Sequence, residues 1–324
     1  MSKIDKRDFR ILNMLLEDSR RNFSEIGKDI RLSKNSVIYR VERLIKKGII
    51  RRFTCIAGIG AIGKNTFYVM FKLRANKEES EKIIQYFSTH PLTLWVLELT
   101  GNWDLLVEFI CDDIHHFGNI LNETSRFLGK LLIEYKSWVM FKPYKVETSI
   151  LFSEVEYHTP KPFGPIYLAP PMDEIDKKIL GMLCEDGSIK YAQIATKLNL
   201  SADTIVYRMK NLIKNGVIRK FSPEIELKKL GYIEYIIFIK LTNWNPEKIS
   251  ELEQHIINNT NIRFSFQVAG ELEIFIHCAY KNNSELDLFL KYLKYTFLEI
   301  IYEIEFTPMI KETKFNMFPE GLRK

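Results

Sequence analysis

Near the start of the chain, apolar side chains recur at helical spacing. Ile4, Ile11, Leu12 and Leu15 form one stripe, and Val37, Val41, Leu44 and Ile45 form another. Between them, Asn22 followed three residues later by Glu25 resembles a capping box and predicts a helix over 23–30. Ser33 stands where an N-cap hydroxyl is wanted, and Gly48 ends the third periodic segment. Three short helices with a tight turn between the last two predict a helix-turn-helix. Residues 49–53 then read as a short strand that would make the motif winged. Past Gly63 the period drops to two: Phe67, Val69, Phe71 and Leu73 alternate with Tyr68, Met70 and Lys72. A helix over 78–87, strands over 94–100 and 103–110 around a turn at Gly101-Asn102, a helix over 114–128 and a strand over 133–141 follow. The order β-α-β-β-α-β is ferredoxin-like.

The pattern then repeats. A shift of 168 residues lays Asp5 on Asp173, Leu32-Ser33 on Leu200-Ser201, Tyr39-Arg40 on Tyr207-Arg208 and Gly48 on Gly216, with 20 identities in the 49 positions from 5 to 53. The shift is 169 by Gly101/Gly270 and remains so at Lys142/Lys311. In the second unit, strands and helices are expected over 235–241, 246–258, 263–269, 272–280, 286–297 and 301–309. Between the units, residues 158–171 hold five prolines and read as an extended, semi-stiff connector. The fold class expected is therefore α+β, in two tandem units. The division is a winged helix-turn-helix over 1–57, a ferredoxin-like domain over 58–148, a linker over 149–171, a second winged helix-turn-helix over 172–225, a second ferredoxin-like domain over 226–312 and a tail over 313–324. The end of the chain, with Phe315, Phe318 and Pro319, reads as an arm or extra strand.

On a helical wheel, Asn35, Ser36, Tyr39, Arg43 and Lys46 gather opposite the apolar face of the third helix, flanked by Arg40 and Lys47. Such a face suits a major groove: arginine reaches guanine edges or phosphate, and asparagine and serine read base edges. Lys34 and Arg51 extend the expected contact set. The second unit presents Asp203, Thr204, Tyr207, Arg208, Asn211 and Lys214 instead. An aspartate at the start of a recognition helix repels phosphate but can accept from cytosine, so the two copies are not expected to read the same half-site equally.

The charge agrees. The formal net charge is only +6, but residues 1–53 carry 15 basic and 7 acidic side chains and residues 172–221 carry 9 and 6, while everything else carries 23 and 28. Two basic heads on an acidic body keep phosphate attraction local. Cys55, Cys111, Cys184 and Cys278 lie far apart without a Cys-x-x-Cys pair, and the six histidines form no ligand motif, so neither a metal nor another cofactor is expected. No apolar run approaches the roughly 20 residues of a membrane span, and no signal core opens the chain, which points to the cytoplasm. Trp95, Trp103 and Trp138 read as core or interface, and His115-His116 as surface.

The run Asp5…Asp8…Ile11-Leu12, Leu32-Ser33…Tyr39-Arg40-Val41…Leu44…Gly48-Ile49-Ile50, Gly63 and Gly101-Asn102-Trp103-Asp104-Leu105 resembles the Lrp/AsnC (feast/famine) transcriptional regulators. Both units carry it, as in the tandem form seen among archaeal sequences. The resemblance implies a winged helix-turn-helix followed by a RAM domain that dimerises and often senses amino acids. It implies double-stranded DNA as partner, a nucleoid-associated setting, an intrachain pseudo-dimer open to further assembly, and no enzymatic activity. It places an effector near the Gly-x-x-Asp turn, hence at Gly101 and Asp104, with Gly270 and Glu273 in the second unit. Two alternatives stand beside this reading: a siroheme-decarboxylase-like tetrapyrrole enzyme on the same fold, and a low-specificity chromatin or architectural DNA binder. Against the enzyme, the His-Asn-Tyr type of segment is replaced by Leu97-Glu98-Leu99-Thr100 and Phe266-Gln267-Val268-Ala269.

Overall fold

In the first unit, Asp5 and Asp8 cap one another's backbone amides at the start of α1 (Lys6–Glu17). Helix α2 (Phe23–Ile30) and helix α3 (Lys34–Lys46) follow, capped by Asn22 on the Ser24 amide and Ser33 on the Ser36 amide. The Asn22 cap acts without the reciprocal Glu25 bond expected of a capping box. Strand β1 (Ile50–Ala57) leads into β2 (Asn65–Leu73), α4 (Lys77–Thr89), β3 (Thr93–Leu99), β4 (Leu105–Cys111), α5 (Ile114–Leu128) and β5 (Leu132–Val146). The second unit repeats the order: α6 (Glu174–Glu185), α7 (Tyr191–Leu198), α8 (Ala202–Lys214), β6 (Ile218–Ile225), β7 (Ile233–Leu241), α9 (Pro246–Asn258), β8 (Ile262–Ala269), β9 (Ile274–Tyr280), α10 (Asn283–Thr296) and β10 (Ile301–Phe315). This computed structural model describes residues 4–146 and 170–323. The linker expected over 149–171 lies outside the described residues apart from its last two positions.

Each unit makes a four-stranded antiparallel sheet in the ferredoxin order, β5-β2-β4-β3 and β10-β7-β9-β8. The sheets join edge to edge. Strand β5 pairs with β8, from Val139 against Ala269 to Val146 against Phe264, and β10 pairs with β3, from Met309 against Leu99 to Phe315 against Trp95. The result is a closed eight-stranded barrel that leaves no edge unpaired. A barrel of eight strands is just wide enough for side chains to fill. Here Tyr68, Trp95, Trp138, Phe238, Phe266 and Phe275 fill it, among others. Helices α4 and α5 bury Ile83, Phe87, Phe117 and Ile120 against the outer face of the first sheet. Helices α9 and α10 bury Leu252, Ile256, Phe289 and Leu293 against the second.

The strand expected after each helix-turn-helix is present, but its partner is not within its own unit. Strand β1 pairs antiparallel with β6, Cys55 opposite Phe221. Each strand also closes the core of the other unit's head. Cys55 and Ala57 pack with Ile179, Leu180 and Leu183 of α6, and Ile225 and Leu227 pack with Ile11, Leu15 and Val41. The physical reason is that a helix-turn-helix of some 50 residues buries too little apolar surface alone. The exchanged strands enlarge both cores and tie the heads together. Matching backbone bonds fasten the crossing, Ser19 N–H to the Phe221 carbonyl and Gly187 N–H to the Phe53 carbonyl, each 2.9 Å.

Candidate nucleic-acid interface

The outer faces of α3 and α8 are what the two heads present. On α3, Lys34, Asn35, Tyr39 and Lys46 are exposed, Tyr39 by 65%. On α8, Asp203, Tyr207 and Lys214 are exposed, Tyr207 by 67%, and Asn211 is half-buried. Val37, Val41 and Leu44, like Ile205, Met209 and Leu212, face inward, so the exposed set is fixed by core burial on the opposite side.

Several expected contact residues are placed differently. The Arg40 guanidinium lies against α1, its Nη1 donating to both Asp5 oxygens at 3.0 and 2.9 Å and to Asp8 Oδ1 at 2.8 Å. Burial pulls it down, yet hydrogen bonds to Asp8 and Asp5 outweigh that and leave it more firmly protonated than an ordinary arginine. Arg43 donates to the other oxygen of the fully buried Asp8 at 2.6 Å. Arg208 repeats the arrangement on Asp173 and Asp176, and Asn211 stands where Arg43 would make the second tie. Arg40, Arg43 and Arg208, expected among the groove contacts, are thus drawn inward by a buried or half-buried carboxylate and brace α3 and α8 on the first helix of each head. Arg51 points to the barrel, ion-paired with Glu312 and 3.8 Å from Glu224. The Ser36 and Thr204 hydroxyls are taken up by the capping hydroxyls of Ser33 and Ser201 at 2.8 Å. Lys47 stands at the end of α3, where its carbonyl accepts from Lys229 of the second unit at 2.9 Å.

One tie between the heads lacked a sequence signal except the mismatch at its position. Arg20 reaches across, donating from Nε to the Gly187 carbonyl and from Nη2 to the Ile189 carbonyl, both at 3.0 Å, while its guanidinium lies 4.0 Å from the centre of the Phe221 ring. The same position in the second unit is Ser188, so the clamp works in one direction.

The expected effector residues sit at matching hairpins. Gly101 has φ +107°, a conformation that favours glycine. Asp104 Oδ2 accepts from the Leu73 amide at 2.7 Å, and Glu273 Oε2 from the Leu241 amide at 2.6 Å, so both acids close the end of the neighbouring strand. The longer glutamate therefore does the same backbone work as the aspartate. Asp104 also borders a cavity of about 180 Å³ with Ser80 and Glu98. A Cβ at Gly270 would come within 2.5 Å of the Trp138 ring, which accounts for the missing side chain there. Among the described residues, no group of three or more metal-ligating side chains comes together, and no helix is long and apolar enough to cross a membrane.

A family model described as winged helix-turn-helix DNA-binding matches residues 4–51 and 172–219, the two heads. An uncharacterized HTH-type transcriptional regulator of Pyrococcus abyssi is 35% identical over 121 residues, 37% of this chain and 80% of that protein. The chain belongs to the HTH-type transcriptional regulators, with two winged helix-turn-helix heads in tandem. The HTH-type transcriptional regulator FL11 of Pyrococcus horikoshii is 33% identical over 120 residues, 37% of this chain and 78% of that protein. Over the whole tandem, the siroheme decarboxylase NirDL superposes with a TM-score of 0.65 at 15% identity, covering 98% of this chain and 96% of that one, which establishes a shared fold. The tandem chain is thus a DNA-binding transcriptional regulator of the HTH type, built on a frame that an enzyme also uses.

Proposed function

We propose that this regulator works as an intrachain pseudo-dimer that binds a specific, asymmetric DNA operator, with a small molecule such as an amino acid adjusting its affinity. The observation that carries the reading is the pair of exposed, unequal faces of α3 and α8 on heads joined by exchanged strands. Lys34, Asn35, Tyr39, Lys46 and Lys47 are the proposed contacts of the first head. Asp203, Tyr207, Asn211 and Lys214 are those of the second, whose weaker positive charge gives it the smaller share of affinity. One covalent chain raises the effective concentration of the partner head and lets the two faces diverge. Half-sites one or more helical turns apart, about 34–36 Å each, suit two such heads. An effector ammonium group could use Asp104 and Glu98 at the cavity they border. The setting proposed is the nucleoid in the cytoplasm, with further assembly of chains.

The test is a genomic binding selection with the full chain, followed by footprinting. The expected site has two unlike half-sites, and Tyr39→Ala weakens binding roughly tenfold while Tyr207→Ala weakens it less. A symmetric footprint unchanged by exchanging the α3 and α8 faces overturns the asymmetric reading. Binding without any preferred sequence, falling steeply with salt, favours the architectural alternative.

A further inference from the structure

At the junction between the heads and the barrel, the second unit holds a cavity of about 270 Å³. Arg263 of β8 reaches it from the barrel wall and is only 7% exposed. Its Nη1 donates to Glu234 Oε1 of β7 at 2.7 Å, and the same oxygen lies 3.1 Å from Nε2 of the fully buried His277. The Arg263 Nε has no hydrogen-bond partner among the described residues. A buried charged donor left without an acceptor is destabilising, so a group that reaches it and accepts its hydrogen is favoured there. Lys228 and Glu226 border the same cavity from the connector after β6, and the Arg51–Glu312 pair closes the side toward β1.

The tandem repeat supplies an internal control. The positions that match Glu226, Lys228, Glu234 and Arg263 in the first unit are Gly58, Gly60, Thr66 and Leu94. The matching junction there is a cavity of about 70 Å³ walled by Tyr68, Trp95, Met140, Phe264 and Phe266. Both units form the same strands in the same order, so the fold does not require the four charges of the second unit. The arginine of the opposite wing strand borders both cavities, Arg219 in one and Arg51 in the other.

We propose that the cavity of the second unit is a binding site for a small organic monocarboxylate, absent from the first unit. The ligand oxygens would meet the Nε/Nη2 edge of Arg263, since Nη1 is committed to Glu234, and Lys228 supplies the second cation. Two parallel donors on one guanidinium edge match a carboxylate. Glu226, Glu234 and Glu312 beside the cavity disfavour a doubly charged anion such as phosphate. Because Arg51 and the β6 connector belong to the exchanged strands, an occupied cavity touches the elements that join the heads.

The test is titration calorimetry on the full chain with acetate, lactate, alanine and inorganic phosphate. It reads binding directly, whether or not the DNA reading holds. At least one monocarboxylate is expected to bind at one site per chain, with phosphate roughly tenfold weaker or absent. The double variant Glu234→Thr with Arg263→Leu installs the first unit's residues without leaving a lone buried charge, and it should weaken binding by roughly tenfold or more. Lys228→Gly should weaken it a few-fold with the melting temperature unchanged. Arg263→Lys keeps the charge but loses the fork, so it should behave like the double variant and stands in if that chain does not fold. No binding by any of the three carboxylates, phosphate binding as tight as theirs, or affinities unmoved by the variants would overturn the proposal.

Discussion

Glu108 sits on β4 with its side chain inside the barrel, opposite Tyr68 and Trp95 in the strand register, and is 7% exposed. Burial drives its carboxyl up to about 7, and the nearby Tyr68 hydroxyl only partly offsets that. The folded-state value therefore lies above the unfolded one. Below about pH 4.5 the acid is protonated in both states, and between there and about 7 folding takes up a proton, so stability falls as pH rises. Above that window the full cost is present, about 3 kcal/mol at 1.36 kcal/mol for each pH unit of displacement. Glu108→Gln is expected to match the native chain in urea unfolding at the acid end of the window and to exceed it by about 3 kcal/mol above it. A difference that stays constant across pH would contradict this account. Such a group is poorly legible in a sequence: an acid within an alternating strand looks the same whether it faces solvent or barrel. Arg40 misleads in the opposite direction. On the wheel it flanks the outer face, and its acid partners lie 32 and 35 residues away, beyond any helical spacing.

Elements whose stabilising contacts are local could be read well. The helices over 23–30, 114–128 and 246–258 lie where spacing and capping residues put them, because caps and apolar stripes act within a few residues. The strands were found as well, but not all their partners. Alternation says which residues face a core and is silent on which edge meets which, so the joins of β5 to β8 and β10 to β3 carry no local sign. The exchange of β1 and β6 was hidden for the same reason. It does leave one trace, at Gly58, just past β1. Its amide donates to the Val217 carbonyl at 2.9 Å, and a Cβ would lie 2.2 Å from the Gly216 carbonyl oxygen. That oxygen belongs to backbone and cannot swing aside. Gly58→Ala should therefore force the crossing apart and cost about 1–3 kcal/mol, as overpacking does. Gly118→Ala, on the face of α5 with no atom within 4 Å of a Cβ, is the control and should not destabilise. Equal melting temperatures for the two variants would mean that the crossing yields at Gly58 without strain.

At the scale of the whole molecule, the two halves are alike in frame and unlike in fastening. Both heads share the exchanged strands, but the second is also pinned by the end of the chain. Strand β10 runs to Phe315 along β3, Asn316 N–H donates to the Leu94 carbonyl at 2.8 Å, and Phe318, 1% exposed, enters the core of α6, α7 and α8. Arg323 completes the clasp on Glu185 at 2.5 Å. The tail thus joins the first unit's sheet to the second unit's head, while Arg20 joins the first head to the second. Removing residues 317–324 deletes one buried aromatic ring, a loss of about 3–5 kcal/mol for a well-packed site, and frees only one head. Hydrogen exchange on the truncated chain should show amides of α6 to α8 opening at least tenfold faster, since 1.4 kcal/mol is tenfold in an opening constant. Amides of α1 to α3, whose core contains no tail residue, should keep their protection, as should the barrel strands away from β3. Loss of protection in both heads together would mean that the exchanged strands make them one cooperative unit, and that the tail serves the pair rather than the second head alone.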